Sequence, residues 1–191
     1  MPDDAPPATA PPATAPHETA PHDNDGTSVL RDRAAIVETC TRSAWSTDRR
    51  DWSAFREVFA DEVDLDYTSL NGGEPLHLPR QSIVDGWRTV LSGLDATQHL
   101  VGNHLVTVDG DTAECTASVL ATHILANDRG EPIWTVGGHY RYRLARTHEG
   151  WRISGLRLTV DWTSGNRDIM LLAVQNQPEH VREWKHENGR A

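Results

Sequence analysis

Residues 109–123 read DGDTAECTASVLATH, and this stretch decides the fold. Its leading Asp-Gly dipeptide predicts a tight hairpin turn, because glycine readily adopts the positive φ that such turns require. Small or apolar residues then occupy every second position from Ala113 to Ala121, and the series ends at His123. Side chains alternate between the two faces of a strand. One face is therefore predicted to be small and apolar, which leaves room for a pocket beside the histidine.

Helical patterns come before this hairpin and long extended patterns come after it. Apolar residues recur at helical spacing from Leu30 to Trp45, in a short segment capped by Asp51, and from Ile83 to Leu94. An extended segment is predicted at residues 63–67, and from about Thr97 onward the pattern is β, with segments at 103–108, 111–126, 133–146 and 151–162. A last helical patch is predicted at 169–174. Helices segregated from a run of antiparallel strands indicate an α+β fold.

The composition of the chain differs between its beginning and the rest. The 191 residues carry a formal net charge of -10, and 37% of them are hydrophobic. Residues 1–27 contain seven of the eleven prolines, five acids and no Lys or Arg, which predicts a disordered leader. Residues 28–165 are expected to form one α+β domain. Residues 166–191 are expected to form a tail that is either a lid over the pocket or a surface helix.

Several functional classes lose support at this stage. The acidic balance argues against nucleic acid and anionic membrane as partners, since both select Lys/Arg-rich faces. The chain shows neither a secretory signal pattern nor an apolar run of roughly 18 residues, so a cytoplasmic location is expected. Cys40 and Cys115 cannot build a disulfide scaffold. Dinucleotide-binding, P-loop, zinc-protease and serine-hydrolase motifs do not occur in the sequence.

Asp48 and His123 are the candidate chemical groups that the residues themselves indicate. Asp48 falls at the C-terminal end of the first predicted helix, where the helix dipole disfavours an anion. Such a carboxylate needs a compensating partner, and a histidine ring N–H would be oriented by it and made more basic. The sequence leaves two readings of His123 open: a group that faces the pocket, or a hydrogen-bonded histidine at a strand end.

Five segments stand in an order that resembles one known family. They are WSTDRRDW at 45–52, LDYTS at 65–69, TQH at 97–99, His123, and GWRISGL at 150–156. Together they resemble scytalone dehydratase and, more broadly, the SnoaL-like members of the nuclear-transport-factor-two-like superfamily, over about residues 30–165. The resemblance implies a cone-shaped, strongly curved mixed β-sheet wrapped around a pocket that the N-terminal helices close.

The resemblance also implies a reaction. It predicts a cofactor-independent dehydratase that eliminates water from a β-hydroxy carbonyl compound, in secondary metabolism of polyketide or aromatic type. By motif position, Asp48 and His123 are the proton-transfer pair and His99 is a second pocket histidine. Tyr67 corresponds to a tyrosine that holds a water against the substrate carbonyl. Neither a metal nor an organic cofactor is implied.

The expected substrate-binding positions depart from the family in part. They are Trp45, Thr47, Leu70, Gly138, Tyr140 and Trp162. Thr47 stands where the family has a second tyrosine, and Gly138 and Tyr140 stand where it has serine and asparagine. Scytalone itself is therefore a doubtful substrate, and Tyr140 could supply the missing phenol from another wall.

Two other functional classes stay open. An isomerase or an aldol-type cyclase would begin with the same proton abstraction, so the residues separate them poorly from a dehydratase. A non-catalytic ligand-binding or assembly module is the third reading, and the presence of both Asp48 and His123 disfavours it. The spacing of the histidines, including His104 and His139, matches no metal signature. A homodimer or homotrimer is expected, because a curved sheet has an outer face to cover.

Overall fold

The computed structural model describes residues 26–176, and the predicted leader (1–27) lies almost wholly outside them. Within this range the α+β prediction is confirmed. The helices are α1 (Gly26–Arg49), α2 (Trp52–Glu57), α3 (Thr68–Asn71), α4 (Arg80–Leu91) and α5 (Ile169–Gln175). The strands are β1 (Phe59–Asp66), β2 (Leu76–Pro79), β3 (Ala96–Asp109), β4 (Thr112–Ile124), β5 (Ile133–Thr147) and β6 (Gly150–Gly165).

The strands of the described chain form one curved, open sheet in the order β2-β1-β6-β5-β4-β3. Neighbouring strands are antiparallel except β1 and β6, which run parallel, so the sheet is mixed as predicted. The parallel pair needs a crossover, because parallel neighbours cannot be joined by a short turn. The elements from α3 to β5, which lie between β1 and β6 in the chain, supply that crossover, and the sheet curves around the space that holds the candidate site.

The hairpin that anchors the sequence analysis is present as β3 and β4. Asp109 pairs with Thr112, and Gly110 has the positive φ of 57° that a tight turn requires. Strand β3 begins at Ala96, next to Thr97 where the β pattern was expected to start, and it includes the segment predicted at 103–108. Along β4 the odd-numbered residues from Ala113 to His123 are buried, so the predicted small-residue face is the inner face of the sheet.

Helix α1 packs its narrow apolar stripe on this sheet. Ile36, Cys40 and Ala44 recur at helical spacing and are buried. The helix begins at Gly26, ahead of the expected start near residue 30. Asp51 caps α2 as predicted, because its carboxylate accepts a 3.0 Å bond from the Ala54 N–H.

The region between β1 and α4 contains two elements that the sequence did not indicate. The one-turn helix α3 and the edge strand β2 lie where a loop was expected, and β2 pairs antiparallel with β1. Pro79 ends β2 and directly precedes α4, a position that suits a residue without an N–H donor. None of the helices within residues 26–176 combines the length and apolar character needed to cross a membrane.

Candidate active site

A cavity of about 540 Å³ lies between the inner face of the sheet and helices α3, α4 and α5. Aromatic and aliphatic side chains dominate its wall, with two histidines and two tyrosines among them. It is lined by Tyr67, Leu70, Asn71, Gly86, Trp87, Val90, Leu91, His99, Val119, Ala121, His123, Trp134, Val136, Tyr140, Leu158, Arg167, Asp168, Met170, Leu171 and Val174. An apolar cavity with a few convergent polar groups is the usual form of a small-molecule site.

Asp48, in the last turn of α1, is bound to β3 by three hydrogen bonds. The ring Nδ1 of His99 lies 2.6 Å from Asp48 Oδ1, and the backbone N–H of His99 donates to Oδ2 at 2.7 Å. The Thr97 hydroxyl donates to Oδ1 at 2.9 Å. The expected pairing of Asp48 with His123 is therefore wrong, because the histidine that reaches this carboxylate is His99. The cause is the crossing of α1 over β3, which places the end of the helix on residues 97–99.

These bonds determine the protonation state of the pair. Burial raises the pKa of Asp48, but the bonds and positive charge from His99, with the Thr97 hydroxyl, outweigh it and hold this pKa below its ordinary value. The carboxylate is thus ionised at neutral pH and can only accept hydrogen bonds. His99 must then donate to this carboxylate through Nδ1, and Nε2 is the ring nitrogen that remains for the cavity.

A third layer lies behind this pair. Arg50 Nη1 donates to the Thr97 hydroxyl at 2.7 Å and to the Thr47 carbonyl at 2.9 Å. Arg50 directly follows α1 with φ of 58°, a left-handed conformation that usually belongs to glycine at a helix end. A non-glycine residue there is strained by about 1 kcal/mol or more. Its side chain anchors Thr97, and through it Asp48.

His123 lies on the same inner face as His99 but has a different partner. The two rings meet edge to face with centroids 5.6 Å apart. His123 Nδ1 lies 3.3 Å from the Trp134 carbonyl oxygen, and since a carbonyl can only accept, Nδ1 is the donor. Burial, with the nearby His99 charge, lowers the pKa of His123 to about 4. His123 is therefore a neutral ring at physiological pH, with Nε2 as an acceptor.

Two phenols also belong to the polar groups of the cavity. The hydroxyl oxygens of Tyr67 and Tyr140 lie 3.5 Å apart, on β1–α3 and β5 respectively. Burial raises the pKa of Tyr67 well above its ordinary value and also raises that of Tyr140. Both phenols therefore stay protonated and can donate hydrogen bonds to a substrate oxygen. The edge of the Tyr67 ring meets Trp87 of α4, with centroids 5.3 Å apart, which fixes its orientation.

The structure thus brings His99, His123, Tyr67, Leu70 and Tyr140 to one cavity. Asp48 lies directly behind His99 and acts on the cavity through that ring. Helices α3, α4 and α5 contribute lining residues to this cavity, and α1 contributes Ser43, Ala44 and Thr47 to the small space beside His99 and Tyr140.

Trp45 does not reach the cavity. It lies on the solvent side of α1 with 60% of its surface exposed, and the Arg49 guanidinium stacks 3.9 Å from its ring centroid. Thr47 is buried, but it lines a small space of about 20 Å³ behind His99 and Tyr140, not the main cavity.

Gly138 and Trp162 are also outside the main cavity, and for Trp162 a β-bulge is the reason. Gly137 pairs with Trp162 whereas Gly138 pairs with Val160, so β6 carries one extra residue at Asp161. Such a bulge reverses the alternation of side chains. Trp162 therefore covers Gly137 on the outer face, where a Cβ on that glycine would lie 2.2 Å from the indole. A Cβ on Gly138 would meet the Thr159 carbonyl at 2.1 Å.

Several cavity residues were not predicted from the sequence. Trp134 lies opposite His123 in the β4–β5 register, a position that correct pairing of the two predicted strands would have indicated. Trp87 belongs to the predicted third helix, but its direction depends on how α4 packs. Within residues 26–176, no three His, Cys, Asp or Glu side chains converge as a metal site requires. Independence from metals and cofactors stays a prediction.

The curved mixed sheet and its cavity define a protein of the nuclear-transport-factor-two-like superfamily. The model of the SnoaL-like domain family matches residues 28–157, so the chain belongs to that family. The uncharacterized protein Rv2910c of Mycobacterium tuberculosis is 29% identical over 125 residues, which cover 65% of this chain and 82% of that protein.

Solved structures place the fold in the same group. The crystal structure of Kfla4162 from Kribbella flavida superposes with a TM-score of 0.70 and 31% identity, over 76% of this chain and 98% of that chain. A protein of Novosphingobium aromaticivorans that is named as a scytalone dehydratase superposes with a TM-score of 0.65. It covers 75% of this chain and 93% of its own, and its 17% identity is a likeness of fold alone.

Proposed function

We propose that this protein is a cofactor-independent dehydratase that removes water from a β-hydroxy carbonyl small molecule. The observation that carries the proposal is the Asp48–His99 pair at the wall of an aromatic cavity. A carboxylate that accepts from one ring nitrogen fixes the tautomer and raises the basicity of the other. This is the arrangement that abstraction of a proton α to a carbonyl requires.

The proposed reaction begins at His99. Its Nε2 takes the α-proton of the substrate, and the electron pair of that C–H bond forms an enolate. The phenols of Tyr67 and Tyr140 donate hydrogen bonds to the enolate oxygen and stabilise its negative charge. Tyr140 is buried and Tyr67 is half-buried, which strengthens these bonds relative to water.

The second step expels the hydroxyl group. The enolate re-forms the carbonyl, the Cα–Cβ double bond forms, and the Cβ–O bond breaks. The hydroxyl leaves as water with the proton that His99 Nε2 has just accepted, so the protein returns to its starting state. His123, neutral and with a free Nε2, accepts a hydrogen bond from the substrate hydroxyl and orients it toward His99.

The aromatic side chains of the cavity wall favour a flat, polycyclic or polyketide-like substrate. Trp87 and Trp134 line the cavity, and neither indole is needed for the proton transfer. Large apolar rings bind ring-shaped ligands through area and stacking geometry. We propose further that the reaction is part of aromatic or polyketide secondary metabolism and takes place in the cytoplasm.

The test is a turnover assay in deuterated water. The wild-type protein is incubated with bicyclic β-hydroxy ketones, and both enone absorbance and deuterium incorporation at Cα are followed. We expect enone to accumulate. Deuterium incorporation without loss of water would instead support an isomerase or aldol-type cyclase, which shares the first step. The absence of both signals in every ketone tested would support the binding-module reading and contradict the proposal.

We also propose that the chain forms a homodimer or homotrimer through the outer sheet face. Leu100, Leu120, Gly137 and Trp162 follow one another across four paired strands and form an apolar row on that face. Leu100 is 58% exposed and Trp162 is 52% exposed in the single chain. Sedimentation of wild type and L120K measures the effect: a smaller species is expected only for the variant.

A further inference from the structure

Arg167 is the one permanently cationic side chain among the cavity-lining residues. It lies in the turn before α5 and is exposed overall, so it stands where the cavity opens to solvent. The residues described by the structure provide no carboxylate within ion-pair distance of it. This sets it apart from Arg146 and Arg157, which pair with Asp32 and Asp66 respectively.

The guanidinium of Arg167 is held in place on one side only. Its Nη2 donates to the Leu70 carbonyl at 2.7 Å and to Asn71 Oδ1 at 3.3 Å. The guanidinium carbon Cζ of Arg167 lies 5.8 Å from the Trp134 ring centroid. Nη1 and Nε have no acceptor in the part of the chain that the structure describes. A positioned guanidinium with free donors is well suited to a planar, two-oxygen anion.

The cation also stands at a defined place relative to the base. The His99 and His123 ring centroids are 5.6 Å apart, those of His123 and Trp134 are 5.2 Å apart, and Arg167 lies next to Trp134. The wall therefore leads from the proposed base to the cation past two rings. A ligand that reacts at His99 and extends past His123 to Trp134 would bring its far end next to the guanidinium.

We propose that Arg167 is an anion subsite and that the substrate carries a carboxylate or an ionised phenol at the end that reaches Trp134. The inference rests on the proposed function, because it describes the same substrate. Asp168, the neighbouring residue, also lines the cavity and opposes anion binding. Its removal therefore gives a second, oppositely signed test.

The experiment compares two probes of equal size, 2-naphthoate and 2-naphthamide. Their dissociation constants are measured by isothermal titration calorimetry at pH 7, and the Trp134 indole N–H resonance reports where they bind. We expect wild type to prefer the carboxylate by about tenfold, which corresponds to about 1.4 kcal/mol. R167Q is expected to lose this preference while its affinity for naphthamide changes by less than about twofold.

Three further variants separate charge from structure. R31Q removes an exposed cation on α1 and should keep the preference. N71A removes one acceptor of the Arg167 bonds but leaves the cation, so it should keep the preference as well. D168N should increase the affinity for naphthoate by about two- to fivefold.

The proposal is overturned by equal affinities of wild type for the two probes, or by a carboxylate preference that survives in R167Q. It is equally overturned if naphthoate fails to bind at millimolar concentration or leaves the Trp134 resonance unshifted. The assay involves no turnover. A failed charge preference thus leaves the dehydration assay intact, and a failed dehydration assay leaves the binding result intact.

Discussion

His99 and His123 lie on the same face of neighbouring strands, yet their surroundings differ. The ring of His99 is next to a carboxylate, whereas the ring of His123 is next to a carbonyl and an indole. At the α1–β3 corner, His99 donates to an ionised carboxylate that Thr97 and Arg50 hold in position. At the β4–β5 wall, His123 donates to the carbonyl of Trp134 and is buried beside an indole. A carboxylate stabilises the imidazolium form, whereas burial beside apolar groups opposes it.

The difference shows how one residue type serves two tasks in one cavity. The region around His99 favours a proton acceptor, because the charge that appears on the ring is compensated by Asp48. The region around His123 favours a permanently neutral acceptor that orients a hydroxyl group. The pKa of His123, lowered to about 4 by burial and by the His99 charge, agrees with this division.

The largest expected effect is on the His99 region. D48N and H99Q should each reduce kcat/KM by about 10² to 10⁴, because each removes the oriented base. The double variant should be no slower than the slower single variant, because the two residues act as one unit. H148Q, a change at an exposed histidine, is the matched control. Additive losses in the double variant would show that Asp48 and His99 act independently.

The second effect is on stability and comes from His123. Its pKa in the folded protein, about 4, lies below the ordinary value of 6.5. The unfolded chain therefore binds this proton more readily, so stability is complete above pH 6.5 and falls as the pH drops toward 4. The loss at pH 4 is about 3 kcal/mol.

Urea unfolding at pH 7 and pH 4 measures this effect. H123Q should lack this part of the pH dependence, whereas wild type keeps it. Burial also lowers the pKa of His104, which contributes in the same direction in both proteins and cancels in the comparison. An identical pH dependence for H123Q and wild type would show that His123 is not held neutral by the fold.

The third effect is on activity at the β4–β5 wall. H123Q should lower kcat/KM by about tenfold or less, because glutamine can still accept a hydrogen bond from the substrate hydroxyl. The measurement is steady-state turnover beside H99Q. A loss for H123Q as large as that for H99Q would reverse the roles of the two histidines, as the family resemblance had implied.

The smallest effect concerns Thr97. T97V removes the hydroxyl that links Arg50 to Asp48, and we expect kcat/KM to fall by about two- to fivefold. T97S keeps the hydroxyl and should restore activity. The low-field proton resonance of His99 Nδ1–H should shift in T97V and stay in place in T97S. An unshifted resonance in T97V would mean that Thr97 has only a structural role.

Much of the architecture followed from local patterns. The Asp-Gly turn and the alternation along β4 predicted the hairpin, and helical spacing predicted α1 and α4. The position of Asp48 at the end of α1 was also readable, because a carboxylate at a helix C-terminus needs a partner. These features depend on residues close together in the chain.

Two of the errors at the candidate site concern the direction in which a tryptophan side chain points. Trp45 is adjacent in sequence to the buried Ala44, and a single residue step on a helix turns a side chain by about 100° from the sheet toward solvent. Trp162 was displaced to the outer face by the bulge at Asp161, which leaves no clear signature in the sequence.

The sequence by itself determined the α+β order, the small-residue strand, the family, and the presence of an aspartate and two histidines able to do proton chemistry. Only the tertiary structure decided that Asp48 meets His99, that His123 meets Trp134, and that Arg167 stands at the cavity opening. Propensity and periodicity act between residues a few positions apart. The partner of a side chain depends instead on how α1 crosses β3 and how the strands are registered.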